Sequence, residues 1–83
     1  MEKLIVEKLD SCGRMDTMKI AGLTDGELSE LKSMEHYESG EKLLEMLDFR
    51  NNGLGTAWHN GPGVWSHWFD NEFAYVNIGR SCD

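Results

Sequence analysis

The stretch WHNGPGVWSHWFDNEFAYVNI, residues 58–78, decides the fold of this chain. It carries all three tryptophans, Trp58, Trp65 and Trp68, together with His59, His67, Phe69, Phe73, Tyr75 and the only proline, Pro62. A chain of 83 residues buries only about 60–65% of its unfolded surface, so its core depends on a few large side chains. Most of them are here. Asn60-Gly61-Pro62-Gly63 is a turn between extended segments. Residues 64–69 and 73–78 are rich in β-formers and flank Asp70-Asn71-Glu72, a short hairpin loop. With residues 55–59 they imply a three-stranded antiparallel sheet.

Period-two alternation places Phe73, Tyr75 and Asn77 on one face and Ala74, Val76 and Ile78 on the other. The preceding strand places Trp65, His67 and Phe69 opposite Val64, Ser66 and Trp68. Both faces therefore carry apolar groups. The expectation is that helices cover one face and the N-terminal segment covers part of the other. The competing reading leaves part of an aromatic face exposed for a partner, since large exposed apolar patches mark interaction sites.

Upstream, residues 23–34 read as a helix. Thr24 and Glu27 have capping-box spacing, and Leu28, Leu31 and Met34 recur at helical intervals. Gly26 weakens the first turn by up to ~1 kcal/mol relative to Ala. A second helix is expected over residues 40–50, with Ser39 as N-cap and Leu43, Leu44 and Leu47 as its apolar face. Glu38 and Lys42 stand as an i, i+4 pair. Asn51-Asn52-Gly53 stops this helix with residues suited to left-handed backbone. Residues 2–12 read equally as a helix ending at Gly13 or as a strand paired with residues 17–21 through the SCGRMD turn.

The acidic residues are concentrated. Residues 24–48 hold Asp25, Glu27, Glu30, Glu35, Glu38, Glu41, Glu45 and Asp48 against Lys32 and Lys42, a balance of −6 within a net charge of −7. Glu41, Glu45 and Asp48 form a stripe at i, i+4, i+7 spacing, where like charges cost a few tenths of a kcal/mol per pair. Such a stripe is either a solvated helix face or a surface that meets a basic groove on another protein. The net charge opposes direct binding to nucleic acid and to anionic membranes.

Recognisable chemistry is sparse. His59 and His67 are separated by H-x7-H, which matches no standard zinc spacing, and there is no C-x2-C pair. Cys12 or Cys82 with a histidine would give a nucleophile pair only by composition. GLGTAW is neither a dinucleotide fingerprint nor a P-loop. Acidic residues abound, but nothing singles out a glycosidase-like pair. Aromatics that stack on bases need a basic groove, which is missing. No catalytic residue, metal ligand or cofactor is expected. No apolar run approaches about 18 residues, and MEKLIVEK has charges inside its short apolar run, unlike a secretory signal. The expected compartment is the cytosol, where Cys12 and Cys82 would be reduced.

These features imply one α+β domain, residues 1–83, with acidic helices over about 24–50 packed on an aromatic C-terminal antiparallel sheet over about 55–80. In size, charge and lack of catalytic signal the chain resembles the small acidic inhibitors that bacteriophages encode against host defence, including anti-CRISPR proteins. The resemblance rests on that character rather than on a motif. It implies a non-enzymatic inhibitor in the host cytoplasm that occludes the nucleic-acid site of a basic protein or nucleoprotein, such as a CRISPR effector. The expected contact residues are Glu38, Glu41, Glu45 and Asp48, with Glu27 and Glu30 as a second set and Tyr37 as an apolar anchor. The alternatives are a module that homodimerises through its aromatic sheet face and a small metal-binding domain.

Overall fold

The computed structural model describes residues 2–79, except the side chain of Cys12. A pairing of Cys12 with Cys82 lies outside the described residues. The elements are β1 (Ile5–Cys12), β2 (Met15–Ala21), α1 (Asp25–Ser33), α2 (His36–Arg50), α3 (Leu54–Asn60), β3 (Val64–Phe69) and β4 (Ala74–Gly79). The strands make one antiparallel sheet in the order β1-β2-β4-β3. The fold class is α+β, as the sequence implies.

The sheet is not confined to the C-terminal part. The ambiguous N-terminal segment is β1, turned at Gly13 (φ 63°) and paired with β2 as the strand reading expects. Pairing of Met18 with Val76 and of Ile20 with Ala74 then joins the two hairpins. The N-terminal segment therefore lies in the plane of the sheet. It does not cover the aromatic face, contrary to the expectation above.

The helices cover the other face. Ile20, Ala74, Val76 and Ile78 meet Leu31, Leu43, Leu47 and Trp58 in a single buried cluster. Full burial of one such aliphatic side chain contributes about 1.5–3 kcal/mol. Asn51 locks the chain start to the end of α2. Its Oδ1 accepts from the Leu4 N–H and its Nδ2 donates to the Leu4 carbonyl, both at 2.9 Å. Asn52 and Gly53 then take left-handed backbone (φ 53° and 82°) and end the helix.

Three local expectations are corrected. Residues 55–59, expected as a strand, belong to α3. The cause is tertiary: Asp48 of α2 accepts from the Thr56 N–H at 2.6 Å and from its hydroxyl at 2.7 Å, which caps the first turn of α3 from outside the helix. Gly55 is required there, because a Cβ would collide with the Leu44 carbonyl oxygen. Second, Ser39 is not an N-cap. The helix begins at His36 after Glu35, and Ser39 lies buried within it. Third, a bulge between Val64 and Ser66 resets the alternation of β3, so that Val64 joins His67 and Phe69 on the helix-facing side. Trp65 is the extra residue and is 61% exposed.

Candidate protein-binding surface

Helix α2 is built as a two-sided element. Ser39, Leu43 and Leu47 are buried on its inner side. Successive residues rotate by about 100°, so Glu38, Glu41 and Glu45 fall on the opposite side, and all three are exposed. Tyr37 and Phe49 border this stripe and are 74% and 73% exposed. This side of α2 therefore presents two exposed rings together with three carboxylates. Phe49 falls about 120° around the helix from Leu43, outside the leucine face, and that offset is the signal in the sequence that marks it.

The expected contact residues divide. Glu30 is exposed on α1. Glu27 closes the capping box with Thr24, accepting from its N–H at 2.9 Å while donating its own N–H to the Thr24 hydroxyl at 3.1 Å. It also pairs with Arg50 at 3.5 Å, so it is committed to the fold. Asp48 is likewise committed, to Thr56, and the hydroxyl and backbone N–H it accepts hold its pKa below the ordinary carboxylate range. Lys42 pairs with Glu45 at 3.8 Å rather than with Glu38. Exposed pairs of that kind contribute about 0–1 kcal/mol. Tyr37 hydrogen-bonds Glu41, and the adjoining negative charge raises the phenol pKa. Glu38, Glu41 and Glu45, with Tyr37 and Phe49, thus face outwards without a capping duty.

Three grooves border this side of α2. One of about 290 Å³ lies between α1 and α2, where Glu27, Glu30 and Glu45 share the walls with Lys42 and Arg50. One of about 370 Å³ lies against α3 and includes Glu41, Asp48 and Thr56. The third, about 220 Å³, lies between α2 and β3 and includes Tyr37, Glu41, Trp65 and the three histidines.

The histidines raise the question of chemistry. His67 lies 2.8 Å from Ser39 Oγ and is stacked on His36 at 4.1 Å. A serine beside a histidine is the beginning of a nucleophile–base pair. Here the serine is only 2% exposed, and its hydroxyl donates to the His36 carbonyl at 3.0 Å. With that proton committed, Ser39 accepts from His67 Nε2–H, so the pair cross-links α2 and β3. Burial, followed by the charge of His36, lowers the His67 pKa. Among the described residues no group of three His, Cys, Asp or Glu could hold a metal ion.

The far side of the sheet is open. Trp68 stacks on Tyr75 with centroids 5.4 Å apart, and Phe73 meets Tyr75 edge-on at 6.5 Å. Lys19 lies 4.4 Å from the Phe73 centroid and 3.4 Å from Glu7. Beside them Thr17 donates to Asn77 Oδ1, and Asn77 Nδ2 donates to Ser66, forming a polar rung across three strands. Among the described residues no helix is long and apolar enough to cross a membrane. No protein-family model matches the chain, no curated protein is detectably similar to it, and no solved structure matches its fold.

Proposed function

We propose that this chain is a non-enzymatic inhibitor that binds a larger nucleic-acid-handling protein by laying the outer side of α2 against its basic nucleic-acid-binding surface. The observation that carries this reading is the grouping of Glu38, Glu41 and Glu45 between exposed Tyr37 and Phe49. The carboxylates supply attraction to a basic groove and speed encounter; the two aromatics supply the desolvated anchors that charge at a rim lacks. A CRISPR effector complex is a target of this class, and the host cytoplasm is the compartment this reading implies. The test is capture of partners from nuclease-treated bacterial lysates, followed by assay of the captured protein for nucleic-acid binding. The proposal expects a salt-labile complex in which nucleic-acid binding is lost, and restored when Glu38, Glu41 and Glu45 are reversed to Lys. A partner that still binds nucleic acid in the complex would overturn it.

A second reading is favoured by the open aromatic face. Trp68, at 42% exposure, and Tyr75 would bury each other's counterparts in a homodimer. Sedimentation decides this: a concentration-dependent dimer lost on Trp68→Ala supports it, and a monomer at all concentrations removes it.

A further inference from the structure

The groove between α2 and β3 differs from its two neighbours in one respect. The α1–α2 cleft already contains Lys42 and Arg50, so its carboxylates have internal counter-ions. Among the described residues the α2–α3 groove has no phenylalanine, tyrosine or tryptophan in its lining, and its Asp48 is bound to Thr56. The α2–β3 groove combines one carboxylate, Glu41, with the rings of Tyr37 and Trp65, over a floor that includes half-buried Leu44 and Val64. Among the described residues neither lysine nor arginine lines it. At about 220 Å³ it is smaller than the roughly 300–1,000 Å³ of a typical small-molecule site. It has the size of a receptor for one side chain.

We propose that this groove receives an arginine side chain of the partner protein, with Glu41 pairing the guanidinium, the Tyr37 and Trp65 rings flanking it, and the leucine and valine floor covering its methylene stem. The inference rests on the acidic-inhibitor reading for the identity of the partner, but the pocket itself is testable without one. Arginine suits the groove better than lysine. Its guanidinium is planar and weakly hydrated, so it lies against aromatic faces while keeping hydrogen bonds to a carboxylate. A surface built to hold nucleic-acid phosphates supplies such arginines. Ser39 and Gly40 make the shape possible. Ser39 holds the His67 ring in place, and a Cβ on Gly40 would lie 2.8 Å from that ring.

The experiment is a titration of the isotopically labelled protein with N-acetyl-arginine amide, followed by amide and indole NMR shifts. The neutral isostere N-acetyl-citrulline amide, N-acetyl-lysine amide and inorganic phosphate are run beside it. Saturable shifts are expected at the Trp65 indole N–H and at the Gly40 and Ser66 amides. Citrulline should bind about tenfold more weakly, as should the Glu41→Gln variant, the loss of a charged partner corresponding to about one decade in affinity. Lysine should fall between arginine and citrulline, and phosphate should leave these signals unmoved. Glu7→Gln, on β1 at the opposite edge of the sheet from β3, should leave the arginine titration unchanged. Equal binding of citrulline, an unaffected Glu41→Gln, or shifts scattered away from the groove would overturn the proposal. The Trp65→Ala variant adds a check on the aromatic wall, and its amide spectrum reports whether the fold is retained. Failure of this titration leaves the acidic docking of α2 to be judged by charge reversal at Glu38 and Glu45, both outside the groove.

Discussion

Ser39 Oγ lies 2.8 Å from Nε2 of His67, and this contact bridges the middle of α2 to the edge strand β3. It places the acidic helix and the aromatic hairpin in a fixed relation, and it does so with two polar groups inside an otherwise apolar interface. The Ser39 hydroxyl donates to the His36 carbonyl and leaves a lone pair for the imidazole N–H. The bridge therefore needs a proton on Nε2 of His67.

Replacement of Ser39 by Ala should leave the buried imidazole N–H without a partner. Loss of that acceptor should destabilise the protein by about 1–3 kcal/mol. Chemical denaturation checks this, and the variant should keep a native-like far-UV spectrum.

Gly40 packs directly under the same ring, where a Cβ would lie 2.8 Å from Cε1 and 3.1 Å from Nδ1 of His67. Gly40→Ala gains up to about 1 kcal/mol of helix propensity, but overpacking costs about 1–3 kcal/mol. The expected net result is a less stable protein with perturbed ring signals for His67 and His36, read by thermal melting and NMR.

Stability should fall on acidification before the carboxylates titrate. The folded pKa of His67 is depressed, by burial first and by His36 second. An unfolded histidine titrates near pH ~6.5. Between the folded value and that one the unfolded state binds the extra proton, so stability rises with pH across this window. It is full above about pH 6.5 and is lost as pH falls through the folded pKa. Denaturation midpoints measured from pH 8 downwards on the wild type and His67→Gln test this, the variant being expected to lose the slope in this range. Asp48 and Asp70 have depressed pKa values too, so their contribution has the same sign but enters only in the carboxylate range.

Asp48→Ala should uncap α3. Both the Thr56 N–H and its hydroxyl then lose their acceptor, so the first turn of α3 should fray and stability should fall. Amide exchange at Thr56 and its neighbours should accelerate more than exchange in β4. For this reason Asp48 is excluded from the charge-reversal set, although its spacing places it in the same stripe as Glu41 and Glu45.

The parts of this fold that were legible in the sequence are those whose cause is local. Thr24 and Glu27 satisfy one another's backbone groups within one turn, so the start of α1 is readable. The turn at residues 70–72 is equally local, since Asp70 Oδ1 accepts from the N–H groups of Glu72 and Phe73. What was misread depends on partners distant in sequence. The start of α3 is capped by Asp48, and Ser39 looked like a cap because its real partner is His67 on β3. The N-terminal segment stayed ambiguous because its apolar spacing fits both periods, and pairing across to β2 selects the strand. The acidic residues of α2 were identifiable as a stripe, but spacing alone does not separate Glu41, which faces a groove, from Asp48, which holds a helix. The exposure of Trp65 follows from a bulge that no alternation rule anticipates.

If the outer side of α2 docks on a basic surface, its carboxylates set the rate of encounter. The most direct measurement is the association rate of the captured partner with wild-type protein and with a Glu38→Lys, Glu41→Lys, Glu45→Lys triple variant, each across a range of ionic strength. The wild-type rate should fall steeply with salt, and the variant rate at low salt should be slower by at least about tenfold with little salt dependence. Equal rates for the two proteins at low salt, with the variant's fold intact, would contradict it.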